Sequence, residues 1–172
     1  MKKIFGLFLT AATFISTIAC AQQDKSKRPS PPAKATATLA SGAVITIDYS
    51  QPAVKGRTIG KDLEPMAGKV WRTGANEATI FEITKDVTVE GKLLKAGKYA
   101  FFSIWNGDKW TLIFSKKADQ WGAYDYKESD DALRVEVKGG KGSFTERLVF
   151  TASNDGKISF AWGELMVAFS VK

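Results

Sequence analysis

The sequence of 172 residues contains no histidine and one cysteine, Cys20. Without histidine, neither a Ser-His-Asp triad nor a Cys-His pair can be built, and zinc loses its usual nitrogen ligand. A lone cysteine cannot form a disulfide within the chain. An enzyme with this sequence would have to work with carboxylates, lysine, tyrosine, serine or arginine.

Motifs for cofactors are missing as well. The chain has neither a G-x-x-x-x-G-K phosphate loop nor a G-x-G-x-x-G dinucleotide fingerprint. Asn154-Asp155-Gly156 lacks the further carboxylates that a calcium loop places at alternating positions, so it predicts only a hairpin turn. The sequence therefore predicts no cofactor and no metal site.

The N-terminus has the pattern of an export signal. Two lysines precede a mostly apolar run from Ile4 to Ile18, and small residues follow. This run is too short for a membrane span and predicts a signal peptide over residues 1–21, cut after Ala21. The alternative is a lipobox that ends at Cys20, which would then carry the lipid. Either way the protein is expected to be exported, to the periplasm, the outer membrane or the medium.

The next stretch, QQDKSKRPSPPAKATA, is polar, rich in proline and without periodicity. It predicts a disordered or extended linker over residues 22–37, followed by one domain over residues 38–172. The net charge of +7 is spread thinly along the chain. An exported protein rarely meets nucleic acid, so this charge favours solubility over nucleic-acid binding.

Apolar residues alternate with polar ones through most of residues 38–172. Asn106-Gly107 separates two aromatic-rich runs and is the strongest hairpin signal, and a second turn is predicted at 139–142. About nine strands of about five to eight residues, with at most short helical turns, are predicted. This spacing indicates an all-β protein, an antiparallel β-sandwich of jelly-roll type.

Two stretches depart from the alternation. The first is WRTGANEAT, residues 71–79, and the second is QWGAYDYKESDDALR, residues 120–134. Both are dense in aromatic and hydrogen-bonding side chains and poor in aliphatic ones. Because functional residues tend to lie on loops held by a rigid scaffold, these stretches are the candidates for a site.

The same residues carry a resemblance to a known family. The chain resembles the bacterial secreted family called domain of unknown function 2911 over roughly residues 36–172. That resemblance implies an exported β domain, and it implies no catalytic residue or substrate. The motifs that carry it are Tyr49 to Pro52, Lys55-Gly56-Arg57, Trp71 to Thr79, Ala96 to Tyr99, Trp121-Gly122 with Tyr124 and Tyr126, and Asp131 to Arg134.

The irregular stretches suggest a ligand site without catalysis. Arginine can grip an anion with a forked pair of hydrogen bonds, a glycine-containing loop can turn its amides toward an anion, and aromatic faces can stack on sugar rings. A small anionic molecule or a glycan is therefore the expected ligand of a noncatalytic envelope protein. The candidate ligand-binding residues are Arg57, Trp71, Arg72, Asn76, Glu77, Trp121, Tyr124 and Arg134.

Two other interpretations stay open at the level of sequence. The same side chains can satisfy one another as internal braces of a structural or scaffolding domain. A glycan hydrolase or lyase would need two carboxyls facing each other across a cleft. Its candidates are Glu77, Asp125, Asp130, Asp131 and Glu164.

Overall fold

The structure is a computed structural model that describes residues 24–172. The predicted signal peptide and Cys20 lie outside the described residues, so the two cleavage alternatives remain predictions. Within residues 24–172, no helix is long and apolar enough to cross a membrane.

Residues 24–172 form ten strands and two short 3-10 turns, at Lys25–Lys27 and Glu128–Asp130. The strands are β1 (Pro32–Thr38), β2 (Val44–Ser50), β3 (Val70–Trp71), β4 (Thr79–Ile83), β5 (Val87–Val89), β6 (Lys92–Leu94), β7 (Gly97–Asn106), β8 (Lys109–Ser115), β9 (Asp131–Ala152) and β10 (Lys157–Ser170).

One large antiparallel sheet dominates the fold. Its strands run in the order β1-β2-β4-β7-β8-β9-β10, with β3 added to β7, while β5 and β6 form a separate hairpin. The predicted all-β, antiparallel class is confirmed. The predicted hairpin between the two aromatic-rich runs is present as β7 and β8. Its turn is Gly107-Asp108, one residue later than predicted, because Asn106 pairs with Lys109.

The sheet curls until its distant strands meet. Tyr49 in β2 and Phe150 in β9 are far apart in the strand order, yet their ring centroids lie 4.9 Å apart. The backbone N–H of Phe150 also donates to the Tyr49 hydroxyl at 3.1 Å. The inward residues of every long strand therefore share one aromatic core, in which Phe101 contacts Phe114 with 5.2 Å between ring centroids.

Strand β9 is longer than its sequence predicts. The predicted turn at 139–142 is wrong, because the strand runs on through Gly139 and Gly140. Its first part pairs with β8 and its second part with β10, so the strand passes from one neighbour to the other. A Cβ on Gly139 would lie 2.3 Å from Nε1 of Trp110. Glycine at this position lets the strand pass close to the indole. From the sequence alone, the same glycine is interpreted as part of a turn.

Strand β1 lies in the stretch that the sequence predicts as linker. Its seven residues pair with β2, from Pro32 opposite Ser50 to Thr38 opposite Val44. The inward positions are alanines, and Ala37 is buried. Alanine is too small to produce a hydrophobic alternation that stands out, so the strand is not visible in the sequence pattern.

A smaller apolar cluster lies on the outer face of the sheet. Ala78, Ala100, Phe102 and Ile113 form it, and Tyr126 packs on Phe102 with 5.2 Å between ring centroids. Tyr126 belongs to the loop over residues 116–130, so this cluster holds that loop against the outer face. The loop carries the second irregular stretch and thereby places it beside the first.

Candidate ligand-binding site

The WRTGANEAT stretch is a loop braced from within. Thr73 and Asn76 have left-handed backbone, with φ of 47° and 61°. The Thr79 hydroxyl donates to the Thr73 carbonyl at 2.9 Å, and Nη1 of Arg72 donates to the Asn76 carbonyl at 2.9 Å. These bonds satisfy the backbone where the chain leaves β3 and before it enters β4. The arginine points along its own loop.

Trp71 lies in the core. Its side chain is 2% exposed and stacks on Trp162 with 5.6 Å between ring centroids and 15° between ring planes. This corrects the assignment of Trp71 to a ligand site, because a ligand cannot reach a side chain that the core encloses. Its role is packing, where the indole contributes a large apolar area.

Asn76 ties the loop to two other segments. Its Nδ2 donates to the Ser30 carbonyl at 3.0 Å and to the Ser50 hydroxyl at 3.2 Å. With its side-chain amide donors used inside the protein, Asn76 acts as a brace. It fixes the N-terminal residues and the end of β2 against the loop.

Glu77 is held by two cations from the N-terminal segment. Nη1 of Arg28 donates to both carboxylate oxygens, at 3.0 and 2.9 Å, and Nζ of Lys25 lies 3.0 Å from Oε1. Partial burial opposes ionisation of this carboxyl, but hydrogen bonds from its own amide, Arg28 and Lys25 outweigh that effect and lower its pKa to about 2. The carboxylate is therefore ionised at neutral pH.

Trp121 is brought to Glu77 by main-chain pairing. The two residues form an antiparallel bridge, and the Ala78 N–H donates to the Gln120 carbonyl at 3.1 Å. The indole is 55% exposed, in contrast to the buried Trp71. An exposed indole on a loop fixed by backbone hydrogen bonds is a rigid surface that a ligand can reach.

A cavity of about 480 Å³ opens beside this indole on the outer face of β2 and β4. Ile80 and Ala78 provide an apolar floor, because the outer face carries the residues that alternate with the core. Charged side chains surround it. The lining residues are Lys25, Arg28, Pro32, Asp48, Tyr49, Ser50, Glu77, Ala78, Ile80, Ala118, Asp119, Gln120 and Trp121.

The charges around this cavity, named here the Trp121 cavity, are close to balanced. Lys25 and Arg28 face three carboxylates, those of Asp48, Glu77 and Asp119. Two further lysines pair with the carboxylates: Nζ of Lys34 lies 2.8 Å from Asp48 and Nζ of Lys98 lies 3.8 Å from Asp119. The cavity therefore lacks the excess of positive charge that an anion site requires.

The structure does not bring all predicted residues together. Glu77 and Trp121 line the cavity, with Arg72 and Asn76 bracing the loop behind them. Arg57 instead donates from Nε and Nη2 to the carbonyls of Val54 and Ala53, at 3.1 and 2.8 Å, and so braces its own turn.

Tyr124 and Arg134 lie outside the lining as well. Tyr124 is 80% exposed, and the Arg72 guanidinium carbon lies 6.0 Å from its ring centroid. Arg134 pairs with Glu128 at 2.7 Å and with Asp131 at 3.2 Å, and it lines a different cavity of about 530 Å³. Both side chains serve local contacts in the structure.

The carboxylates considered for hydrolysis are scattered. Only Glu77 lines the Trp121 cavity. Asp131 accepts from the Tyr126 hydroxyl at 2.8 Å, and burial raises the pKa of its carboxyl. Glu164 lies 3.5 Å from Nζ of Lys141 on the β9–β10 pair. Within the described residues 24–172, no group of three or more Asp, Glu, His or Cys side chains is placed to hold a metal ion.

Four charged residues of the cavity are not among the site residues that the sequence predicts. Lys25 and Arg28 fall in the predicted linker, where nothing in the local pattern marks them. Asp48 and Asp119 look like ordinary solvent-facing charges. Asp48 alternates with the core residues Ile47 and Tyr49, so its outward direction was readable. Its place in a cavity was not, because that depends on a loop about seventy residues further along the chain.

A protein-family model described as "Protein of unknown function (DUF2911)" matches residues 30–171. The match begins before β1 and ends one residue after the last strand, β10, and so covers the whole sheet. No curated protein and no solved structure matches the chain. The family description assigns no activity, so a function has to be argued from the Trp121 cavity.

Proposed function

This protein belongs to the DUF2911 family, and we propose that it is a noncatalytic binding protein that holds a neutral, polyhydroxylated ligand, a glycan fragment, in the Trp121 cavity. The observation that carries the proposal is the exposed indole of Trp121 on the wall of a cavity with an apolar floor and a charged rim.

A sugar ring suits this arrangement. Its faces carry C–H groups and its edges carry hydroxyls. The indole offers a flat apolar surface for one face, and Ile80 and Ala78 offer a second apolar contact. Carboxylates such as Asp48 and Asp119 accept hydrogen bonds from hydroxyls, while Lys25 donates them. A volume of about 480 Å³ lies in the range typical of small-ligand sites.

Charge favours a neutral ligand over the anion that the sequence also suggested. The Arg28 guanidinium and the Lys25 ammonium already bind Glu77. A phosphate or carboxylate would have to displace Glu77 from them and would then lie near Asp48. A neutral hydroxyl can bind at the rim without breaking those ion pairs, so it meets a smaller cost.

The geometry favours binding over hydrolysis. A glycosidase needs a protonated general acid and a second carboxylate across the scissile bond. Glu77 is ionised and occupied by its two cations. Asp48 and Asp119 each lie beside a lysine, and the partly buried Asp131 does not line the cavity. The scaffolding alternative needs no ligand at all, and a binding experiment separates it from the proposal.

The proposal includes a place of action outside the cytoplasm, in the periplasm, at the outer membrane or in the medium. The signal pattern of residues 1–21 supports it. Both processing alternatives are compatible with the Trp121 cavity, whose first lining residue is Lys25.

The decisive variant is Trp121→Ala. Binding is measured by fluorescence titration and thermal shift with tri-saccharides of glucose, mannose and N-acetylglucosamine, and with sugar phosphates and organic acids as anionic comparisons. We expect a neutral glycan to bind and the variant to weaken its affinity about tenfold or more, because a stacked aromatic contact is lost. A ligand that binds the native fold also raises its melting temperature.

Tyr124→Ala is the matched control. Tyr124 is an exposed aromatic on the same loop, three positions away, and lies outside the cavity lining. Its removal should leave affinity unchanged. If only the anionic compounds bind, the neutral-ligand proposal is wrong. If no compound binds, the scaffolding interpretation replaces it.

A further inference from the structure

The N-terminal residues cross the WRTGANEAT loop as a strap, defined here as residues 24–31. Arg28 and Lys25 bind Glu77, and the Ser30 carbonyl accepts from Asn76. At its far end, the Pro31 carbonyl accepts from the backbone N–H of Gln51 at 2.9 Å. The strap is therefore fastened at several points along its length.

Hydrogen bonds and ion pairs fasten it. The 3-10 turn of the strap contains no buried residue, and the side chain of Lys25 is 60% exposed. A segment held this way can detach at a far smaller free-energy cost than the sheet, because it leaves the apolar core intact. Detachment removes Lys25 and Arg28 from the wall of the Trp121 cavity, which both residues line.

We propose that the ligand site is composite: the strap supplies one wall of the Trp121 cavity, Glu77 and Asn76 are the positioning residues that hold it there, and strap docking and ligand binding stabilise each other. This inference rests on the proposed function. The coupling is reciprocal by thermodynamic necessity, since a ligand that contacts the docked strap must favour docking to the same extent that docking favours the ligand.

The main test is Glu77→Gln in the otherwise intact protein, with Glu82→Gln as its control. Glu82 is an exposed carboxylate in β4, five positions along the chain, and lies outside the cavity lining. Neither substitution changes the amino-acid sequence of the strap. The rates of trypsin cleavage after Lys25 and Lys27 can therefore be compared directly among the three proteins. We expect Glu77→Gln to speed this cleavage about fivefold, because the amide cannot hold both cations. Glu82→Gln should cleave like the unaltered protein.

The same variants test the coupling to the ligand. The probe is the tri-saccharide that gives the largest Trp121-dependent fluorescence change. Glu77→Gln should weaken its affinity about fivefold, and saturating probe should slow strap cleavage in the unaltered protein. If Glu77 had only a structural role, Glu77→Gln would still speed strap cleavage, but saturating probe would not slow that cleavage in the unaltered protein.

A second pair of variants covers the case in which Glu77→Gln disturbs the loop. Arg28→Ala acts from the strap side. Lys27→Ala is its control, because the Lys27 side chain is 84% exposed, its Nζ lies 4.0 Å from Asp24, and it does not line the Trp121 cavity. Arg28→Ala should weaken probe affinity, and Lys27→Ala should not. Arg28→Lys should restore part of the affinity.

The outcomes separate the two proposals. If Trp121→Ala abolishes probe binding while Glu77→Gln and Arg28→Ala leave it unchanged, the site is real and the composite wall is refuted. If Glu77→Gln and the unaltered protein are cleaved at the same rate, Glu77 does not hold the strap in place, and the composite wall is refuted as well. If no saccharide binds in a Trp121-dependent way, the proposed function fails first, and the composite site falls with it.

Discussion

At the scale of single residues, the partners of a side chain decide what it does. Glu77 belongs to the motif that suggested ligand binding, yet two cations from the strap already hold it. Trp71 and Trp121 are both tryptophans in irregular stretches. One is 2% exposed and the other 55% exposed, so only Trp121 can meet a ligand. Their residue type made both of them candidates for the ligand site, and their difference in burial leaves only Trp121 as a candidate.

Glu77 also predicts how stability depends on pH. Its pKa falls from an ordinary 4.5 to about 2 in the folded protein. A lowered carboxyl pKa stabilises the fold above the unfolded value and loses that effect as pH falls through the folded value. The stabilisation should therefore be complete above about pH 5 and disappear between pH 4.5 and 2.

The size of this effect is modest, because the Glu77 side chain is 40% exposed and water screens the pairs. We expect about 1 kcal/mol at neutral pH after that discount. Urea unfolding at a series of pH values measures it, and Glu77→Gln should flatten the profile between pH 4.5 and 2. A variant with the same slope as the unaltered protein would show that other groups cause the acid loss.

At the scale of elements, strand β1 is the clearest departure from the sequence pattern. Its alanines pair the N-terminal stretch with β2, so the ordered domain begins before Thr38. The strap then follows from β1, since a strand anchored at Pro32 holds residues 24–31 close to the loop that they cross. Strand β1 contributes Pro32 to the lining of the Trp121 cavity, and the strap that precedes β1 contributes the two cations Lys25 and Arg28.

Two truncations test whether β1 belongs to the domain. A chain that begins at Ser30 keeps β1, while one that begins at Leu39 lacks it and leaves β2 as the bare edge. We expect the shorter chain to lose at least about 2 kcal/mol of unfolding free energy relative to the longer one, because a row of strand hydrogen bonds is removed. Urea denaturation followed by near-ultraviolet circular dichroism measures the difference. Equal stability would mean that residues 32–37 behave as the linker that the sequence predicts.

At the scale of the whole molecule, the curled sheet keeps its main core apart from the proposed binding site. Its inner face holds the aromatic core, and its outer face carries the 116–130 loop, the strap and the Trp121 cavity between them. A rigid sheet with irregular segments on one face is a common arrangement for binding proteins. The strap also joins this face directly to the N-terminal part of the chain, where the export signal is predicted.

Processing of the N-terminus is testable on the whole protein. We expect mass spectrometry of the exported protein to find the signal removed. The new N-terminus should be Gln22 or its cyclised form after ordinary cleavage, or an acylated Cys20 after lipoprotein processing. Intact residues 1–21 on all of the exported protein would overturn cleavage at either site.

The sequence by itself determined the β class, the β7–β8 hairpin to within one residue, and the family resemblance. These depend on alternation, turn residues and short motifs, which act between near neighbours in the chain. Only the tertiary structure decided that Trp71 is core, that β9 runs straight through its glycines, and that Arg28 meets Glu77 across 49 positions. Contacts of that kind depend on which strands pair and how far the sheet curls, and no local pattern of residues encodes either one.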